Sequence, residues 1–139
     1  NKQHRSVCIV TLIFAMMFAT SAQAKECPNP ERLAETSINE RDDLLRALET
    51  IVPSQYEGEP FSDWEVVSTT PFPMTVGKQD EEVYFEIAKN FCGGNVAEKS
   101  WLVRLHFLKL EEVSESLSEG QLFVAKSKDN GWFVWYQYH

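Results

Sequence analysis

The sequence is poor in the residues on which most recognisable chemistry depends. Of three cysteines and three histidines in 139 residues, no two stand at CxxC, CxxH, HxH or HxxxH spacing, so no metal site is expected. No GxSxG elbow is present to raise a serine nucleophile, and no glycine-rich loop to cradle a phosphate. No apolar run reaches the ~20 residues a helix needs to span a bilayer. Charge of one sign is scarce too: 13 Lys and Arg stand against 21 Asp and Glu. The basic residues are scattered and form no stripe. Such a chain repels a phosphate backbone, and nucleic-acid binding is not expected.

The N-terminal stretch has a definite character. Lys2 and Arg5 give a positive start, and Val7 to Ala19 is apolar apart from Thr11. Ala22-Gln23-Ala24 then supplies a small-x-small site. This pattern reads as a secretory signal peptide, residues 1–24, cut after Ala24. Glu26 precedes Cys27 where a bacterial lipobox carries a small residue, so no lipid anchor is expected, and no stable membrane anchor after cleavage. Removal of Lys2 and Arg5 leaves 11 basic against 21 acidic side chains, a net charge of −10. The expected location is secreted or periplasmic.

Export makes sense of the cysteines. Cys8 leaves with the leader, and Cys27 and Cys92 remain as the only pair in an oxidising compartment. A Cys27–Cys92 disulfide is therefore expected. It closes a long loop and contributes roughly 4 kcal/mol on the chain-entropy model.

Residues 25–139 read as one α+β domain. Ser37-Ile38-Asn39-Glu40 has capping-box spacing, and Ile38, Leu45, Leu48 and Val52 follow on one helical face with Leu44 and Ile51 beside it. Pro53 is expected to stop that helix. Residues 53–79, with four prolines and two glycines, form the least regular part; Trp64 to Ser68 reads as a short strand or a helical turn. Trp64, Phe61 and Phe72 are expected to lid the core. A second helix is expected from an Asp80 cap, with Val83, Tyr84, Ile87, Ala88 and Phe91 recurring at helical spacing and Gly93-Gly94 ending it.

Strands follow. Trp101 to Phe107 alternates, with Trp101, Val103, Leu105 and Phe107 on one face and Leu102, Arg104 and His106 on the other. Gln121 to Ser127 and Trp132 to Tyr138 flank Asp129-Asn130-Gly131, a hairpin signal. A two-residue Asn130-Gly131 turn would pair Ser127 with Val134 and Ala125 with Tyr136, and a three-residue loop would shift that register. The order of helix, irregular segment, helix and antiparallel strands is similar to the cystatin-like and NTF2-like groups. In those groups a curved sheet wraps a helix, and here two N-terminal helices are expected to pack on a C-terminal curved antiparallel sheet of three to four strands. The likeness is one of element order and carries no function across.

Two functional readings compete. In the first, the protein is a non-enzymatic binding or interaction domain, with a protein or small molecule as its unidentified partner. Aromatic side chains of mixed-polarity strands, Trp135 above all, would serve it. In the second, Arg104 and His106, two residues apart on one strand face, form a cup with Gln137 and His139 and act on or bind a small molecule. No catalytic residue, metal or cofactor is assigned. Non-reducing mass spectrometry of the exported protein is expected to find no free thiol at Cys27 or Cys92; two free thiols there would rule the bridge out.

Overall fold

The structure, a computed structural model, describes residues 26–139. The expected leader and its cleavage point lie outside the described residues. Among the described residues three α-helices pack with one open four-stranded antiparallel sheet: α1 (Arg41–Gln55), α2 (Glu82–Cys92), α3 (Gly94–Glu98), β1 (Trp64–Pro71), β2 (Ser100–Phe107), β3 (Glu119–Ser127) and β4 (Gly131–Gln137). The strands lie in the order β1-β2-β3-β4. This is α+β, but not two N-terminal helices on a C-terminal sheet. β1 comes from the proline-rich stretch between α1 and α2, and the helices occupy both faces.

The reason lies in β2 and β3. Trp101, Val103, Leu105 and Phe107 enter one core with Leu122 and Val124, under Leu44, Leu48 and Val52 of α1. Leu102 and Phe123 enter a second core with Phe72, and with Phe85 and Ala88 of α2. A strand apolar on both faces needs cover on both. Each fully buried Leu, Val or Phe contributes about 1.5–3 kcal/mol.

The helices depart from their local signals. Leu44, Leu48 and Val52 recur every fourth residue and form the buried stripe of α1, while Ile38 is exposed in a 3₁₀ turn ahead of it. The capping box is not made: Ser37 Oγ accepts from the amide of Asn39 at 3.3 Å, and the Glu40 carboxylate turns to Lys126 instead. Pro53 does not stop α1. It stands inside the last turn, which closes when the Tyr56 amide donates to the Val52 carbonyl. α2 begins at Glu82 behind Glu81, not behind Asp80, and no side chain caps it. Phe85, unremarked in the helical spacing, is buried because it stacks on Phe72 at 5.6 Å.

Cys27 and Cys92 are bridged, with Cα atoms 5.4 Å apart and a sequence separation of 65. The bridge fixes the end of α2 to an N-terminal arm. The arm pairs with the end of β3: the Ala34 amide donates to the Lys126 carbonyl, and the Lys128 amide to that of Arg32. Leu33, opposite Ser127, fills a third small core with Val96 and Ala125.

The hairpin register differs from the two-residue turn. Ser127 pairs with Gly131, Ala125 with Phe133 and Val124 with Val134, so Lys128-Asp129-Asn130 form the loop. A bulge at Trp135 then sets Phe123 opposite Tyr136. Trp132 and Val134 consequently pack on the α1 side, while Phe133, Trp135 and Tyr136 reach the α2 side. Gly131 has φ 85°, and no other residue of the turn has positive φ. A β-branched residue is costly at such a φ. Gly131→Val is expected to lower stability by about 1 kcal/mol or more in chemical denaturation, although no atom lies near the site of its Cβ. Asn130→Val should leave the midpoint nearly unchanged; equal losses at both positions would refute this turn geometry.

Candidate functional site

The cup does not assemble as one unit. Arg104 and His106 share the α2 face of β2, as their spacing requires. Gln137 lies opposite Leu122 and lines a depression of about 110 Å³ with Tyr56, Phe61 and Phe107 on the α1 side. His139 lines the same depression, and its carbonyl accepts from the Tyr56 hydroxyl. Burial pushes that hydroxyl's pKa far up. Trp135 is on the α2 face but at the far end of the sheet, where its indole donates to Ser100 Oγ at 2.9 Å and its ring meets Phe123 edge-on. Trp135 is half-buried and partnered.

Arg104 sits in a polar row across three strands, between Ser68 of β1 and Gln121 of β3. Glu81, just ahead of α2, closes over it. Its Oε2 accepts from Arg104 Nη1 at 3.3 Å and from Ser68 Oγ at 2.6 Å. Glu81 is only 6 % exposed and Gln121 4 %, so the ion pair is largely desolvated. Glu81 Oε1 and Gln121 Oε1 are buried with no hydrogen-bond partner among the described residues. One strand position on, His106 stands between Glu65 at 3.3 Å and Glu111 at 3.1 Å. Both side chains thus have carboxylate partners within the protein. Among the described residues no group of three His, Cys, Asp or Glu side chains could hold a metal ion.

A second polar cluster ties α1 to the hairpin. Trp132 Nε1 donates to Asp43 Oδ2 at 2.8 Å, and Lys126 Nζ reaches the same oxygen at 3.2 Å and Glu40 at 3.1 Å. The Trp132 indole first, and then Lys126, hold the Asp43 carboxyl below the usual carboxylate range. Glu40 and Asp43 in turn raise the Lys126 ammonium.

The feature that sequence reasoning missed lies on α2. Val83, Ile87 and Phe91 follow one another at i, i+4 and i+8, the spacing of a core stripe. Val83 is 54 % and Phe91 55 % exposed. Phe91 lies 4.6 Å from the ring of Tyr136, and Tyr84 lies 5.3 Å from that of the exposed Tyr138. The stripe therefore borders β4. That strand carries no Asp, Glu, Lys, Arg or Pro, is half-exposed along its whole length, and has a strand neighbour on one side only among the described residues. At its Gly131 end a groove of about 320 Å³ opens between Phe133, Leu33 and Pro28. The available signal was excess: α2 has more apolar residues than one buried face of a helix can use.

Two outcomes check this electrostatic picture. Arg104→Ala should cost about 3 kcal/mol in denaturation, because it leaves Glu81 as an unpaired buried carboxylate; a loss no larger than that of an exposed arginine would contradict the pairing. Asp43 has a folded pKa below its unfolded value, so its stabilising effect is complete above the unfolded value. The effect is lost as pH falls through the folded one. Lys126 has the opposite sign and loses its effect as pH rises through its raised folded value. Asp43→Asn should flatten the acid limb of melting temperature against pH, and an unchanged limb would show that the contact with Trp132 and Lys126 has no such weight.

No protein-family model, no curated protein and no solved structure matches this chain, so the site is read from its own chemistry.

Proposed function

We propose that the protein is an exported, non-enzymatic interaction domain that engages its partner through the flank formed by β4 and α2. One observation carries this reading. Val83 and Phe91 of α2 are left exposed beside an uncharged aromatic edge strand, and large apolar patches with free strand edges are where proteins join. The paired state of Arg104 and His106 supports it too, since a general acid–base pair would keep at least one of these groups open to substrate. Export draws on the leader expected in residues 1–24. The Cys27–Cys92 bridge is compatible with it, and among the described residues no helix is long and apolar enough to cross a membrane.

A second reading keeps Arg104 and His106 as a small-ligand site. It is favoured by the buried, partnerless oxygens of Glu81 and Gln121. Each unsatisfied acceptor costs about 1–3 kcal/mol, and a ligand bringing donors would relieve that. The two readings separate in one experiment, co-purification of tagged protein from the native extracytoplasmic fraction. Phe91→Glu is expected to lose the associated protein, and His106→Gln to retain it. The reverse pattern would transfer the function to the Arg104 and His106 face.

A further inference from the structure

We infer that the partner fitting this flank is a second copy of the chain, joined by antiparallel pairing of two β4 strands about a twofold axis perpendicular to the sheet. The inference rests on the reading of the β4 and α2 flank as an interaction surface.

The two edges of the sheet are built differently. β1 carries devices that discourage strand addition: Pro71 at its end, a bulge between Val66 and Ser68, and the charged Glu65. Free edges in monomeric proteins are commonly blunted by proline, charge or a bulge. β4 has neither proline nor charge, and its single bulge at Trp135 leaves Gly131 to Val134 in regular pairing with β3. In an antiparallel ladder every second residue turns its amide and carbonyl away from the neighbouring strand. That row of donors and acceptors is a template for another strand.

The helix decides which strand it is. Contacts of α2 with Tyr136 and Tyr138 place its Val83, Ile87 and Phe91 stripe toward the open edge. Under a twofold axis perpendicular to the sheet, pairing β4 with β4 brings both α2 helices to the same face. The exposed Val83 and Phe91 of each copy then meet those of the other while the strands pair beneath. An isolated extended segment would fill the edge but offer no helix to the stripe. A twofold contact needs a surface complementary to itself, and this flank meets that condition in charge as well. β4 is uncharged, and beside the stripe Glu86 and Lys89 form an acid–base pair at 3.1 Å. The sequence carries a formal charge of −8, so contact between two copies is opposed across most of the surface by like charge. Beside the stripe the charges of Glu86 and Lys89 cancel each other.

Sedimentation velocity on the disulfide-bonded chain tests the inference, from micromolar to submillimolar concentration. The wild type is expected to dimerise reversibly, and amide exchange in β4 should slow as concentration rises. Val83→Glu and Phe91→Glu change exposed side chains, so their melting temperatures should stay near wild type while the dissociation constant rises at least about tenfold. Val113→Glu, at an exposed loop position away from the flank, should dimerise like wild type. A wild type that stays monomeric throughout overturns the inference, and so does a dimer insensitive to both flank variants. Failure here leaves the interaction reading standing if Phe91→Glu still abolishes co-purification of a different protein. That reading falls separately, when Phe91→Glu changes nothing in co-purification.

Discussion

The burial of Leu122, Phe123, Val124 and Ala125 is the constraint from which the remaining architecture follows. Successive side chains of a strand leave on opposite faces, so four consecutive apolar residues demand two cores. Leu122 and Val124 are covered by α1, and Phe123 and Ala125 by α2 and the N-terminal arm. This requirement pulls the helices to opposite sides of the sheet and makes β3, with β2, its centre. β1 and β4 are left as edges, and their unequal treatment becomes meaningful only in that setting.

Covalent and polar contacts then hold the outer layer in place. The Cys27–Cys92 bridge pins the end of α2, and the Glu81–Arg104 pair pins its beginning. Between these anchors only Phe85 and Ala88 of α2 are buried. The helix is thus held at both ends in an orientation that leaves Val83 and Phe91 in solvent. On the opposite face Asp43 joins α1 to β4 through Trp132, so the edge strand is positioned from both sides. A rigid edge beside a fixed apolar stripe suits binding better than a mobile one, since less conformational freedom is lost on association.

Much of the local structure was legible. The alternation from Trp101 to Phe107 gave the two faces of β2 correctly, because a period of two has only one geometric solution. The cysteine pair left a single possible connectivity. The candidate residues fared differently. Arg104 and His106 share a face because they are two apart, but Gln137 falls on the other side of the sheet: the bulge at Trp135 shifts every residue after it. A bulge is a response to packing on both faces of β3 and has no short-range signature. The Ser37 and Glu40 pair had the spacing of a cap, yet Glu40 found a cation 86 residues away in Lys126. A long-range charged partner outweighed a local amide.

By itself, then, the sequence determined the elements whose cause is local: the existence of the long helix α1, the β2 alternation, a hairpin near residue 130 and the one available disulfide. Tertiary structure alone decided which face of α2 is buried. That helix has apolar residues around more of its circumference than one core can accept, and Phe72, from the end of β1, selected Phe85 over Val83 and Phe91 by stacking on it. The same choice settled the status of the aromatic C-terminal strand. Trp132 is turned to Asp43 and Trp135 to Ser100, so its tryptophans belong to the fold, while Val83 and Phe91 of the neighbouring α2 face solvent. Neither outcome could be read from β4 alone, because each depends on the partner that long-range packing sets beside it.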